Sequence, residues 1–343
     1  MAKVMLAMSG GVDSSVAAHL IKQAGFDCVG ATMILCSDAG VQDARDVAER
    51  LGIPFFSFDN TQEFSRLVIE DFISCYEQGY TPNPCVTCNK KIKFDVLLQQ
   101  AIRMDCDYLA TGHYARILRD NDRVLLYKAK DLRKDQSYFL ACLSPQQLSH
   151  IQFPLGELTK EQVRQIAEEQ GFITARKKDS QDICFIPDGD YKAFMERYTG
   201  KTYPSGKYLN REGQVVGQHQ GAVGYTIGQR KGLGIALGEP AYVTGKDMAD
   251  NTVTLGRNED LYRTTLIADN WNFIPFDTLD TPMQVKARVR YRHTEQPATV
   301  YPMENGLARV EFTEPQRAIT TGQAVVLYDG DMVIGSGTIQ EAL

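Results

Sequence analysis

Val4-Met5-Leu6-Ala7-Met8-Ser9-Gly10-Gly11-Val12-Asp13-Ser14-Ser15 is the stretch on which the reading of this chain turns. Its first five residues form an apolar run that stops at a polar, glycine-rich segment, the mark of a buried strand. Beyond it, Val16, Ala17, Leu20, Ile21 and Ala24 recur at helical spacing, which predicts a helix packed on that strand. Gly10 and Gly11 therefore fall in a tight strand-to-helix turn. Such a turn aims free backbone N–H groups and a helix N-terminus at one point, a ready site for an anion. The glycines let a phosphate approach the main chain closely, and the three serine hydroxyls add donors.

Two commoner nucleotide loops are excluded. The stretch lacks the Gly-Lys-Ser/Thr of a Walker A loop, and its spacing does not fit G-x-G-x-x-G. A Gly-Gly turn alone would be an ordinary βα connection. The full string SGGVDSS, however, resembles the pyrophosphate loop of the ATP-pyrophosphatase (PP-loop) superfamily. That resemblance implies cleavage of ATP between its α and β phosphates, and adenylation of an oxygen to make it a leaving group. It implies ATP contacts from Ala7, Met8, Ser9, Gly10, Gly11, Val12, Asp13 and Ser14.

The 343 residues are enough for two or three domains, each with its own core. With 23% charged and 43% hydrophobic residues, the balance is that of an ordinary soluble chain. No run approaches the ~20 apolar residues of a membrane span, and the N-terminus enters strand pattern without a signal-peptide profile. A cytoplasmic protein is expected. The formal net charge of −6 argues mildly against a nucleic-acid partner, which would need a locally basic face.

Strand and helix patterns alternate through the first third of the chain. Asp27 to Leu35, Pro54 to Phe58 and Tyr108 to Thr111 read as strands. Val41 to Leu51, Thr61 to Tyr76 and a segment around Phe94 to Ile102 read as helices. This predicts an α/β fold, a Rossmann-like parallel sheet with helices on both faces. Ligands in such sheets bind beyond the carboxyl ends of the strands, so Met33 and Gly112 become neighbours of the adenine and ribose. Next comes a hairpin, Tyr114 to Leu118 and Val124 to Tyr127 around Asp120-Asn121-Asp122. A helix opens on the capping box of Thr159 and Gln162, and a last helical segment, Tyr191 to Tyr198, ends at Gly200. From about residue 205 nothing reads as helical. The expected domains are 1–204, catalytic; 205–263, small and β-rich; and 264–343, a β-barrel with strands near 283–292, 297–303, 307–313, 323–328 and 332–339.

Eight cysteines stand at 28, 36, 75, 85, 88, 106, 142 and 184. In a cytosolic chain these read as thiols, catalytic or metal-bound, rather than structural bridges. Thr81-Pro82-Asn83-Pro84-Cys85-Val86-Thr87-Cys88-Asn89-Lys90 reads as an extended, proline-stiffened loop carrying C-x-x-C, with a helix starting near Ile92. A helix N-terminus, with Lys90 and Lys91, would favour thiolate there. A zinc half-site would need two more ligands, and there is no second C-x-x-C. Far downstream lies Lys177-Lys178-Asp179-Ser180-Gln181-Asp182-Ile183-Cys184-Phe185-Ile186. By itself, a lone cysteine before an apolar pair is more often a core residue.

SGGVDSS, NPCVTCNKKIKF, ATGHYAR, KDQSYFL, DSQDICFI and GQRKGLG occur in this order. Together they resemble the bacterial tRNA-specific 2-thiouridylase family over essentially the whole chain. The resemblance implies sulfur transfer to the wobble uridine of tRNA with ATP, Mg²⁺ accompanying the triphosphate near Asp13. It maps the persulfide carrier onto Cys184 and the partner nucleophile onto Cys88, the terminal sulfur reaching C2 directly or after Cys88 frees it as hydrosulfide, and the two cysteines ending as a disulfide that a reductant must open. A cysteine desulfurase or sulfur relay is the implied donor. Cys85 departs from the pattern, since many relatives carry an aspartate there as a candidate acid/base; a thiol at this catalytic position could do the same proton work or simply line the pocket. It opens a rival chemistry, in which Cys85, Cys88 and Cys184 hold three irons of a [4Fe–4S] cluster.

For tRNA, the resemblance assigns Asn83, Pro84 and Cys85 to the loop around the target base. It also assigns Lys134, Asp135, Gln136, His113, Arg290, Tyr291 and Gln323 as contacts. Independently, Lys286, Arg288, Arg290 and Arg292 alternate with Val285, Ala287, Val289 and Tyr291, which predicts four cations on one strand face. His113, following Gly112 at a strand end, also fits a satisfied polar residue. Two other functions compete: an amidating PP-loop synthetase, which would not need Cys88 and Cys184, and a non-catalytic tRNA-binding or sulfur-carrier protein.

Overall fold

The computed structural model describes residues 1–120, 123–172, 183–236 and 238–343. Val4, Met5 and Leu6 are buried at the centre of strand β1 (Lys3–Ala7). Around it lie β2 (Asp27–Ile34), β3 (Phe55–Asp59), β4 (Tyr108–Ala110) and the short β7 (Ile151–Gln152), in the order β3-β2-β1-β4-β7. Every pairing in this sheet is parallel. One core on the sheet joins Val4 and Leu6 to Val16, Val47 and Val163 from helices Val12–Gln23, Val41–Leu51 and Lys160–Glu169. A second core joins Met5, Val29 and Leu109 to Phe94, Leu97 and Ala101. Alternate residues of β1 thus face opposite cores, as a strand of period two covered on both faces requires.

The segment expected to be extended around the C-x-x-C is helical. Helix begins at Pro84–Cys88, continues through a π-helical turn, Asn89–Val96, and ends as Leu97–Arg103. Pro84 is the first helical residue, where the N–H it lacks would have no partner anyway. Asn83 is the N-cap, its Oδ1 accepting from the Val86 N–H at 3.3 Å. Pro84 therefore starts the helix rather than forbidding it, eight residues before Ile92. The helix expected from Thr61 likewise contains a π turn, Ser65–Ile69, before Glu70–Glu77.

The hairpin β5 (Arg116–Asp120) and β6 (Arg123–Tyr127) is antiparallel; residues 121 and 122 lie outside the described residues. It does not stay with the parallel sheet. β6 pairs with the last strand of the chain, Tyr127 opposite Met332. The central region holds a four-stranded sheet in the order β10-β11-β8-β9, from β8 (Gly206–Leu209), β9 (Val215–His219), β10 (Tyr242–Asp247) and β11 (Thr252–Gly256). The C-terminal strands are β12 (Tyr262–Phe273), β13 (Met283–Arg288), β14 (Gln296–Pro302), β15 (Ala308–Arg317), β16 (Ala324–Asp329) and β17 (Met332–Ala342). They run in the order β12-β15-β14-β13-β16-β17, and β12 pairs again with β17 to close a barrel. Among the described residues, no helix is long and apolar enough to cross a membrane.

β13 stops at Arg288, four residues short of the expected strand, so the four cations do not share one face. Lys286 and Arg292 are exposed, while Arg288 and Arg290 turn inward. Arg288 lies 3.9 Å from Glu295, and Arg290 donates through one terminal nitrogen to the Ile227 carbonyl, 3.0 Å, and to Thr320 Oγ1.

Candidate active site

Gly10 has φ +68°, and a Cβ on it would strike the Gly40 carbonyl oxygen, so the turn requires glycine on two counts. Gly11 caps the helix Val12–Gln23 with extended backbone and no side-chain bond, leaving its first N–H groups open. Ser14 Oγ accepts from Ser9 N–H at 3.2 Å and donates to the Gly11 carbonyl at 3.0 Å. Ser15 Oγ donates to that same carbonyl at 2.9 Å. The serines thus brace the loop while the backbone supplies the donors. A Cβ on Gly112 would come within 2.7 Å of Asp13 C and Ser14 N, so the end of β4 lies flat against the loop. Met8 is buried, its N–H donating to the Ala31 carbonyl at 2.8 Å. Met33 packs against two cores at the end of β2. These residues gather at the carboxyl edge of the sheet, as topology predicts.

A cation that motif reading missed is built into this loop. Lys160 Nζ, nearly buried, lies 2.8 Å from both carboxylate oxygens of Asp13, and Tyr114 OH donates to Asp13 Oδ1 at 2.8 Å. Lys160 is the first residue of a helix, where the dipole disfavours positive charge, so this carboxylate compensates the placement. The capping box of Thr159 and Gln162 is legible in the sequence, but the partner of the lysine between them is not. With both Asp13 oxygens taken by an ammonium, the residue does not fit the expected Mg²⁺ position.

Cys85 and Cys88 stand three apart in the first turn of their helix, on one face. Cys88 is buried, with Ile92, Phe64 and Phe72, in the core over the helix Glu70–Glu77. Cys85 is exposed. Cys184 comes from the far segment, of which residues 177–182 lie outside the described residues. Its neighbours pin it: Ile186 is buried, and the Phe185 ring meets Phe64 at 5.7 Å and Phe72 at 5.4 Å, both edge-on. The core role expected of a lone cysteine belongs to the residues flanking it, and Cys184 itself is exposed.

The expected push toward thiolate is not found. Burial raises both Cys85 and Cys88 above the ordinary thiol range, against an opposing pull from the Lys93 ammonium. Cys184 is pushed up to about 12, first by desolvation and then by the neighbouring Cys36, Cys88 and Cys85, with Lys93 again opposing. Lys93, not Lys90 or Lys91, is the cation that faces the three thiols. Cys36, just past β2, was not singled out in the sequence, yet its Sγ lies 3.9 Å from the Cys184 carbonyl oxygen. Among the described residues no three His, Cys, Asp or Glu side chains converge as a metal ion requires, so Cys85, Cys88 and Cys184 do not fit a cluster-binding set as they stand.

The residues expected to touch tRNA divide. Asp135 is buried, Oδ1 accepting from Ala129 N–H (3.0 Å) and Oδ2 from Ser137 Oγ (2.7 Å). Gln136 Oε1 accepts from Tyr114 N–H at 2.9 Å. Gln323 reaches from the barrel to the Thr81 and Pro82 carbonyls, 2.8 and 3.2 Å, clamping the loop ahead of the cysteine helix. Tyr291 leans on Phe139, ring centres 4.3 Å apart, and donates to the Asp135 carbonyl at 3.4 Å. His113 sits against Phe94 and Phe153, 2.7 Å from Thr111 Oγ1, and burial holds its pKa well below the usual imidazole range. A cavity of about 460 Å³ opens between the N-terminal domain and the barrel, lined by Asn83, Lys90, Lys91, Asn272 and Gln340 but by none of Cys85, Cys88 and Cys184.

A glycine loop at the carboxyl edge of a parallel sheet defines the N-terminal region as a nucleotide-binding α/β domain. Residues 2–188 match the tRNA methyl transferase HUP domain, 192–257 the tRNA methyl transferase PRC-barrel domain, and 263–339 the aminomethyltransferase beta-barrel domain. The chain is 46% identical to the tRNA-specific 2-thiouridylase MnmA of Clostridium acetobutylicum, over 98% of its length and 99% of the relative's. It is 47% identical to that of Acetivibrio thermocellus, over 98% and 99%. The chain belongs to the tRNA-specific 2-thiouridylase family.

Proposed function

We propose that this protein is an ATP-dependent tRNA 2-thiouridylase that replaces the C2 oxygen of the wobble uridine with sulfur in lysine-, glutamate- and glutamine-type tRNAs. The observation that carries the reading is the meeting, at one edge of the sheet, of an anion-binding loop and a group of thiols from distant segments. The loop residues Ser9 to Ser14 hold the phosphates through open N–H groups while ATP adenylates the C2 oxygen. Cys184 carries the incoming sulfur as a persulfide. Cys88 attacks the Cys184 Sγ and expels hydrosulfide, which adds to C2 as AMP departs. The disulfide between Cys88 and Cys184 accounts for the two electrons carried away by the sulfide. Lys93 lowers the cost of a thiolate among groups that burial holds protonated. Cys85 lines the pocket of the target base together with Asn83 and Pro84.

The exposed Lys286 and Arg292 are the outward cations for an RNA backbone, whereas Asp135, Gln136, Arg290 and Gln323 act by holding the loops that face it. The three regions divide the work as 1–204 for catalysis, 205–263 as a connector and 264–343 for tRNA binding. A cysteine desulfurase, directly or by relay, supplies the sulfur in the cytoplasm.

Mass spectrometry of unmodified glutamate tRNA tests this, after anaerobic incubation with protein, ATP, Mg²⁺ and a persulfide donor. A sulfur-for-oxygen gain at the wobble uridine, lost in Cys184→Ser, is the expected result. No thiolation by folded protein overturns the proposal. Thiolation by Cys184→Ser from free sulfide, together with protein-bound iron, would turn it to the cluster chemistry.

A further inference from the structure

Cys36 has no place in the chemistry above, yet it stands in the same site. It lies just past the carboxyl end of β2, the strand beside β1 and its glycine loop, with its Sγ 3.9 Å from the Cys184 carbonyl oxygen. Accessibility differs sharply within the group. Cys88 is only 9% exposed, whereas Cys36 and Cys184 are both exposed. In a disulfide between Cys88 and Cys184 the Cys88 sulfur would lie in the core, so the Cys184 sulfur is the one open to attack, and Cys36 is the thiol that stands beside that residue.

We propose that Cys36 is the resolving thiol of this site, exchanging the buried disulfide for one at the surface. The proposal rests on the sulfur-transfer reading above. The Cys36 thiolate attacks Sγ of Cys184 in the Cys88–Cys184 disulfide. The Cys36–Cys184 bond forms, the Cys88–Cys184 bond breaks, and its electron pair leaves on Cys88, which takes up the proton that Cys36 gave to solvent. The exchange conserves oxidation state. An external dithiol then reduces the exposed Cys36–Cys184 bond with two electrons and two protons, becoming a disulfide itself. Cys88 returns to its thiol form without leaving the core.

The test separates this step from the function it serves. Wild type and Cys36→Ser, each carrying a persulfide on Cys184, are given ATP, Mg²⁺ and unmodified glutamate tRNA with no reductant. First-turnover thiolation reports the function and is expected to be equal in both. Peptides mapped under non-reducing conditions should show a Cys36–Cys184 link in wild type and only Cys88–Cys184 in the variant. Reactivation by a thioredoxin-type dithiol protein should be slower in the variant by about tenfold, while dithiothreitol, small enough to enter, should restore both. In a parallel arm, diamide-oxidised protein without tRNA is mapped and reactivated in the same way, so the exchange is read even if thiolation fails. Absence of any Cys36–Cys184 peptide in both arms, with equal reactivation of the two proteins, overturns the proposal.

Discussion

The glycine loop and the thiol group lie side by side at one edge of the sheet, yet they are built in opposite ways. The loop is made by consecutive residues whose backbone alone creates the site, with serines bonded to their own turn. The thiols come from residues 36, 85, 88 and 184, and meet only because aromatic side chains from another helix grip the last segment. The loop is ready for its ligand as it stands. The thiols are not, since burial moves Cys85, Cys88 and Cys184 away from the thiolate form. An anion site can thus be encoded locally, whereas a site for nucleophilic sulfur depends on long-range packing that also suppresses its reactivity.

The sharpest way to break this contrast is Cys184→Ser. Thiolation from a persulfide donor should fall to background while ATP binding, followed calorimetrically, stays unchanged; loss of both would mean that the two sites are one. Next in size is pH. With its pKa raised to about 12, Cys184 stays mostly thiol at neutral pH, and the thiolate fraction grows as pH rises toward that value. Iodoacetamide labelling of Cys184, read by peptide mass spectrometry, should climb about tenfold per unit from pH 7 to 10. A plateau beginning at about pH 9.5 would place the thiol in the ordinary range.

The loop has its own tests. Gly10→Val forces a branched side chain into left-handed backbone and against Gly40. Weaker ATP binding by about 2 kcal/mol or more is expected, with the sheet intact by circular dichroism. Lys160→Met leaves the Asp13 carboxylate unneutralised beside the phosphate site. A smaller loss follows, about 1–2 kcal/mol in ATP affinity, because Asp13 keeps some contact with water. Smallest is the barrel surface. Lys286→Glu with Arg292→Glu should weaken tRNA binding by roughly tenfold at low salt and flatten its salt dependence, with ATP affinity untouched. An unchanged salt slope would remove these cations from the RNA path.

Much of this could be read in advance, and the failures are instructive. The parallel sheet and the turn at Gly10 follow from the alternation of strand and helix patterns and from glycine, because strand burial and left-handed backbone are local demands. The capping box at Thr159 was equally plain. The Asn83-Pro84 segment was misread because proline was weighed as a helix breaker, while at the first helical position it is a starter and Asn83 the cap. The cation stripe failed at Arg288 because period two persists only while a strand does, and here the chain turns Arg290 in toward Ile227 and Thr320.

By itself, then, the amino-acid sequence determined the nucleotide loop, the α/β plan followed by β-rich regions, and the family, since each rests on contiguous residues or on ordered motifs. Only the tertiary structure decided which charges and thiols meet. It paired Lys160 with Asp13, aimed Lys93 rather than Lys90 at the cysteines, and brought Cys36 beside Cys184. It also joined the hairpin of the N-terminal region to the last barrel strand. Electrostatic partners and thiol acidity depend on distance and desolvation. Neither exists until segments remote in the chain have packed together.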